Sequence, residues 1–151
     1  MTGYKKMTIE ILKSVYKRRE NRFFENLWII ERKSGICIFN KDFKCLKNKH
    51  HSIDLICGFL SAISMLASEA FADDIKYIKL SNSKLYFKYT TNFLFVLSIQ
   101  NENRFNSHKI KTLINDISDL FVFYYDKDFE SWDRDIRQFK AFSKYLANIV
   151  Y

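Results

Sequence analysis

SIDLICGFLSAISMLASEAF, residues 52–71, reads as one long helix on which the rest of the chain depends. Ser52 is a natural N-cap, and Asp54 falls in the first turn, where a carboxylate meets the positive end of the helix dipole. Ile53, Ile56, Leu60, Ile63 and Ala67 recur at helical spacing as one apolar stripe; Leu55, Phe59, Ala62 and Leu66 form a second. Together they cover more than half of the circumference, so the helix is expected to be buried. Twenty largely apolar residues also have the length of a membrane span. Asp54, Glu69 and four serines interrupt the stretch, however, and no other segment is comparably apolar, which favours a core helix.

Strand signals flank this helix on both sides. Upstream, residues 27–32 and 36–43 are strand-like runs joined around Ser34 and Gly35, where the glycine can take a positive φ, so a hairpin is expected. Leu27 and Ile29 alternate with Trp28 and Ile30, and Ile36, Cys37, Ile38 and Phe39 are apolar in succession, so both faces of the sheet need cover. Downstream, residues 75–80, 84–89 and 93–99 are joined by the short polar links Ser81-Asn82-Ser83 and Thr90-Thr91-Asn92, as in an antiparallel meander. The last of these strands is apolar on nearly both sides and belongs inside the sheet. Lys76, Lys79, Lys84 and Lys88 mark the other two as partly exposed.

Ser107 can cap a helix carried by Ile110, Leu113, Ile114, Ile117 and Phe121. Trp132 then opens another, carried by Ile136, Phe139, Phe142 and Leu146, with Asp133 and Asp135 in its first turn. At the other end Ile11, Leu12, Val15 and Tyr16 recur at helical spacing among basic residues. The expected organisation is a basic amphipathic helix over residues 1–24 and one domain over 25–151. That domain is α+β: a five-stranded antiparallel sheet in the order ββαβββαα, with the long helix on one face and the two last helices on the other.

A composition that is 48% hydrophobic and 17% aromatic argues against disorder. Charges interrupt every apolar run of MTGYKKMTIEILKSVYKRRE, so no signal-peptide core is read there and a cytoplasmic location is expected. Three cysteines, Cys37, Cys45 and Cys57, are then read as reduced thiols that pack; an apolar stripe would raise the Cys57 thiol and leave it inert. The net charge of +8 gathers at Lys13, Lys17, Arg18, Arg19 and Arg22, and at Lys41, Lys44, Lys47 and Lys49. The first cluster suits an anionic membrane surface or the domain's own flank; a nucleic-acid partner has only the charge and exposed tyrosines behind it.

Catalytic signatures are missing. With only Gly3, Gly35 and Gly58, neither a phosphate-binding loop nor a dinucleotide fingerprint can be built. His50, His51 and Cys45 lack a second pair at zinc spacing. Asp126, Asp128 and Glu130 resemble the start of a calcium loop, but Ser131 and Arg137 replace its glycine and closing glutamate. No cofactor, no metal and no enzymatic activity are expected.

One feature of the long helix points outward instead. Gly58 costs about 1 kcal/mol relative to alanine in a helix interior, so something is expected to press closely there. Asp54, Gly58, Ser61, Met65 and Ser68 form a narrow strip of small or weakly polar side chains that suits either close packing on the domain's own strands or a partner.

The segments LWIIERKSGICIFNKDF, HHSIDLICGFLSAISMLASEAF and KLYFKYTTNFLFVLSIQ, in that order, resemble the longin-like domains. The resemblance covers residues 27–151 and rests on element order and hydrophobic texture. It implies a sheet order of 2-1-5-4-3 and a non-enzymatic adaptor or scaffold that works with a small GTPase or a trafficking protein. It also implies a homodimer, or a heterodimer with another longin or roadblock domain. An N-terminal helix is a roadblock trait and two helices after the last strand are a longin trait, so the subfamily stays open. In the implied order the second strand is an edge, and Ile36, Ile38 and Phe39 are expected to form the contact surface together with the Asp54, Gly58, Ser61, Met65 and Ser68 strip.

Overall fold

The computed structural model describes residues 24–43, 52–100, 107–127 and 129–150. The basic segment 1–23, with Lys13, Lys17, Arg18, Arg19 and Arg22, lies outside the described residues, as do Cys45, His50 and His51. The described residues fall into two compact units, one spanning Phe24–Asn101 and one holding the helical segments after it.

In the first unit the strands are β1 (Phe24–Glu31), β2 (Cys37–Asp42), β3 (Tyr77–Lys79), β4 (Ser83–Tyr89) and β5 (Phe93–Gln100). They form one antiparallel sheet in the order β2-β1-β5-β4-β3, the order the longin resemblance implied. The two strands with unbroken apolar runs, β1 and β5, lie adjacent in the interior, where each has two neighbours. β3 is shorter than the pattern suggested, with only Tyr77, Ile78 and Lys79 paired to β4.

Turn chemistry sets the hairpins. Gly35 takes φ +73°, a left-handed conformation that favours glycine, and the N–H of Glu31 donates to the Ile36 carbonyl at 2.9 Å. At the β4–β5 turn the Thr90 N–H donates to the Phe93 carbonyl at 2.9 Å, while the Phe93 N–H donates to Thr90 Oγ1 at 3.2 Å.

Between β1 and β2 the register breaks. Ile29 faces Phe39 but Ile30 faces Cys37, so Ile38 is the extra residue of a bulge. Without it Cys37 and Phe39 would share a face, by the two-residue period of a strand. The bulge instead turns Cys37 to the face of Trp28, Ile30, Leu94 and Val96.

The one helix among the described residues of this unit, α1 (Ile53–Phe71), packs on that face through Cys57 and Leu60. Ser52 caps it, its hydroxyl accepting from the Leu55 N–H at 3.3 Å, and Ala72 ends it with φ 51°. The opposite face of the sheet, carried by Phe24, Leu27, Ile29, Phe93, Phe95 and Leu97, is fully buried as well. Glu25 ties three strands together: Ser83 Oγ donates to its carboxylate at 2.6 Å and Ser98 Oγ at 3.2 Å.

In the second unit α2 (Ser107–Tyr125) buries Ile110, Leu113, Ile114, Ile117 and Phe121, the residues that its periodicity selected. Trp132 does not open the next helix. Residues 132–135 are non-helical, Arg134 has φ 70°, and Asp135 caps a 3-10 segment, Ile136–Ala141, that runs into α3 (Phe142–Val150). The Trp132 indole N–H donates to the Asp135 carbonyl at 3.0 Å, a local bond that competes with a first helical turn. Phe121, Phe139 and Phe142 then pack as an aromatic cluster with centroids 5.0 and 5.7 Å from Phe121.

Candidate contact surface on the long helix

The expectation that both apolar stripes of the long helix are buried is wrong. Only Cys57, Leu60 and Ser61 are buried, and the second apolar stripe faces away from the sheet. Leu55 is 74% exposed, Phe59 60% and Leu66 59%. With Ala62 they stand at i, i+4, i+7 and i+11, which places them in one row along the helix. Phe71, 78% exposed, closes the helix at its C-terminal end. The physical reason is simple: a sheet touches one side of a helix, and among the described residues no second element of this unit lies over the other. By length and composition α1 alone among the described residues could cross a membrane, with a mean hydropathy of 1.5. Its inner face is nevertheless committed to the sheet core, and Ser64 Oγ donates to the Tyr89 hydroxyl of β4 at 3.1 Å.

The strip singled out in the sequence lies between these two faces. Asp54, Gly58, Met65 and Ser68 are exposed, while Ser61 is buried. Gly58 does not mark a close approach among the described residues: a Cβ there would meet nothing within 4 Å. The tight contact is at Gly35, where a Cβ would stand 3.0 Å from Ser61 Oγ. Ser61, Met65 and Ser68 line a cleft of about 160 Å³ between α1 and the ends of β1 and β5, joined there by Arg32, Ser64, Glu69 and Asp74. Arg32 is held in place, its Nη1 donating to the Thr90 carbonyl at 2.8 Å and its guanidinium lying 5.4 Å from the Tyr89 ring centroid. Burial pushes the Tyr89 phenol above its ordinary range, so the hydroxyl stays neutral.

The second group of expected contact residues separates in space. β2 is an edge strand, as expected, but the side chains of Ile38 and Phe39 are buried and only Ile36 is exposed. The row Leu55, Phe59, Leu66 was visible in the sequence as the second stripe, but periodicity could not say which stripe faces out.

Chemistry-bearing groups are sparse. Among the described residues no cluster of His, Cys, Asp and Glu is arranged to hold a metal ion. Of the acidic stretch after α2, Asp126 lies in a turn, the Phe129 N–H donating to its carbonyl at 3.2 Å, and Glu130 lies in the 3-10 segment Phe129–Ser131.

The first unit has the strand order and the ββαβββ element order that the longin resemblance implied. Solved structures similar to this chain include MglB of Myxococcus xanthus, 12% identical over 75% of this chain and 89% of that one, with a TM-score of 0.47. The gliding protein MglB of Thermus thermophilus is 16% identical over 70% and 82%, with a TM-score of 0.48. A Roadblock/LC7 domain of Streptomyces avermitilis is 10% identical over 75% and 96%, with a TM-score of 0.49. No protein-family model matches the chain, and no curated protein does either.

Proposed function

We propose that this protein is a non-enzymatic adaptor of longin/roadblock type, and that the outer face of α1 is where it associates with a second domain of the same kind. One observation carries this reading: three large apolar side chains, Leu55, Phe59 and Leu66, stand in an exposed row on a helix otherwise fixed to the sheet. Contiguous exposed apolar surface on a small domain marks an interaction site. Gly58, with open space above it, lets a partner's backbone or side chain approach α1, and the cleft at Ser61, Met65 and Ser68 borders the same surface. Asp54 and Ile36 are exposed close to the N-terminal end of this unit's helix and at the β1–β2 turn, and complete the proposed contact set.

The resemblance to longin-like domains supports a place in small-GTPase regulation or vesicle trafficking, with the paired domains as the scaffold that meets the GTPase. A cytoplasmic location fits that role. Size-exclusion chromatography with light scattering, on the protein alone and with small GTPases in each nucleotide state, tests both halves. A dimer that Phe59→Lys turns into a folded monomer is the expected result, as is a complex that depends on the bound nucleotide. A monomer at every concentration removes the paired-domain reading. A protein that ignores all GTPases but sediments with anionic liposomes, and loses this on deletion of residues 1–22, is a membrane-surface module instead.

A further inference from the structure

Two of the three cysteines meet where α1 crosses β2. They are twenty positions apart in sequence, and both belong to the apolar cluster that joins the helix to the sheet. Cys57 is fully buried, on the inner face of α1, and Cys37 is 6% exposed on the edge strand. Cys37 is there only because of the bulge at Ile38, which swings it from the Ile29 face of β2 to the Ile30 face. Both thiols are free and buried in that one cluster, and each is the strongest influence on the other's titration.

Their surroundings divide the labour between them. The Cys37 thiol donates to the Phe39 carbonyl at 3.3 Å, and the neighbouring Cys57 side chain holds Cys37 below its usual range against the opposing effect of burial. The neighbouring Cys37 side chain, with burial, raises Cys57 far above the usual thiol range. Thiolate character and access decide which cysteine reacts first, and both favour Cys37.

We propose that Cys37 and Cys57 are an oxidisable pair, which hydrogen peroxide converts to a disulfide that fastens the first half of α1 to edge strand β2. Peroxide is small enough for a site of such low exposure. Cys37 sulfur attacks one peroxide oxygen, the O–O bond breaks, and the departing hydroxide takes the thiol proton to leave as water. Cys37 is then a sulfenic acid. Cys57 sulfur displaces the sulfenic hydroxyl, which departs with the Cys57 proton as a second water, and the S–S bond forms. The two electrons from the thiols have reduced one peroxide. A thiol reductant reverses the step by exchange.

This inference stands apart from the adaptor reading, since it concerns the inner face of α1 and not its outer one. The consequence is that oxidation locks the helix that carries the contact surface, closing a loop that includes the link between β2 and α1.

The test uses the full chain, treated with hydrogen peroxide and digested without reduction. The expected product is a Cys37–Cys57 linked peptide, lighter than its two halves by two hydrogens and lost on dithiothreitol treatment. The oxidised protein is expected to melt roughly 5–10 °C higher. Cys57→Ala should stop the reaction at Cys37 sulfenic acid, captured by dimedone. If that variant does not fold, the linkage map of the unaltered chain still decides. Oxidation of Cys37 to sulfinic acid with Cys57 untouched overturns the proposal, as does a linkage to Cys45, or two thiols that stay free.

Discussion

Gly35 and Gly58 are the same residue type in opposite circumstances, and they separate conformational need from helix propensity. Gly35→Ala places a Cβ at a left-handed φ and 3.0 Å from Ser61 Oγ, so a loss of about 1–2 kcal/mol is expected in urea unfolding. Ser61→Ala in the same chain should recover part of that loss, a coupling that independent effects would not show. Gly58→Ala is expected to stabilise the isolated domain by about 0.5–1 kcal/mol, because the added methyl meets nothing and alanine prefers the helix. Asp116 of α2 supplies a pH test. One of its carboxylate oxygens is buried with no hydrogen-bond partner among the described residues, and burial, then the charge of Asp119, raises its carboxyl above the ordinary value. A raised carboxyl means that the folded state holds its proton more tightly than the unfolded state does. Stability therefore falls as pH rises through the raised value, and the penalty is absent below the unfolded pKa of about 4. Asp116→Asn should raise stability at pH 7 by about 1 kcal/mol or less, given partial exposure, and by nothing at pH 3. A thermal melt at both pH values checks it.

At the scale of elements, what the sequence revealed and what it concealed have identifiable causes. All five strands and the long helix were legible because β1 and β5 announce burial on both faces, and because turn residues separate the runs at Gly35, Asn82 and Asn92. Less legible was the exposure of α1, since an apolar stripe looks the same whether its own chain or another covers it. The turn of Cys37 toward the helix was hidden because a bulge changes the face without changing the residue pattern. Trp132 misled because its ring packs and its N–H bonds locally while its backbone stays out of the helix. The same distinction between covered and uncovered positions predicts a contrast between two lysine substitutions. Ile38→Lys would bury an ammonium at a site only 3% exposed, and the domain should fail to fold. Leu66→Lys enters a site 59% exposed, where circular dichroism, and the melting transition at concentrations low enough to keep the protein monomeric, should stay close to those of the parent.

For the whole molecule, the outer row of α1 makes association a quantitative matter. Covering a large apolar side chain contributes about 1.5–3 kcal/mol at full burial. Leu55, Phe59 and Leu66 already have part of their surface covered, so roughly 1–1.5 kcal/mol each is available to a partner. A twofold dimer carries every side chain twice, so one substitution removes two contributions. Phe59→Ala should thus cost about 2–3 kcal/mol of dimer stability, which is close to a hundredfold in Kd. Dimer formation also makes the melting temperature depend on protein concentration, because mass action stabilises only the folded pair. A rise in Tm with concentration is therefore expected for the parent, with the curve for Phe59→Ala displaced to about a hundredfold higher concentration and its low-concentration limit unchanged. Equal Tm at all concentrations in both proteins would mean that α1 meets no second copy, and that its apolar row is kept for a different partner. Gly58→Ala refines the result: a gain in monomer stability accompanied by weaker association would place the partner directly over the open space at that glycine.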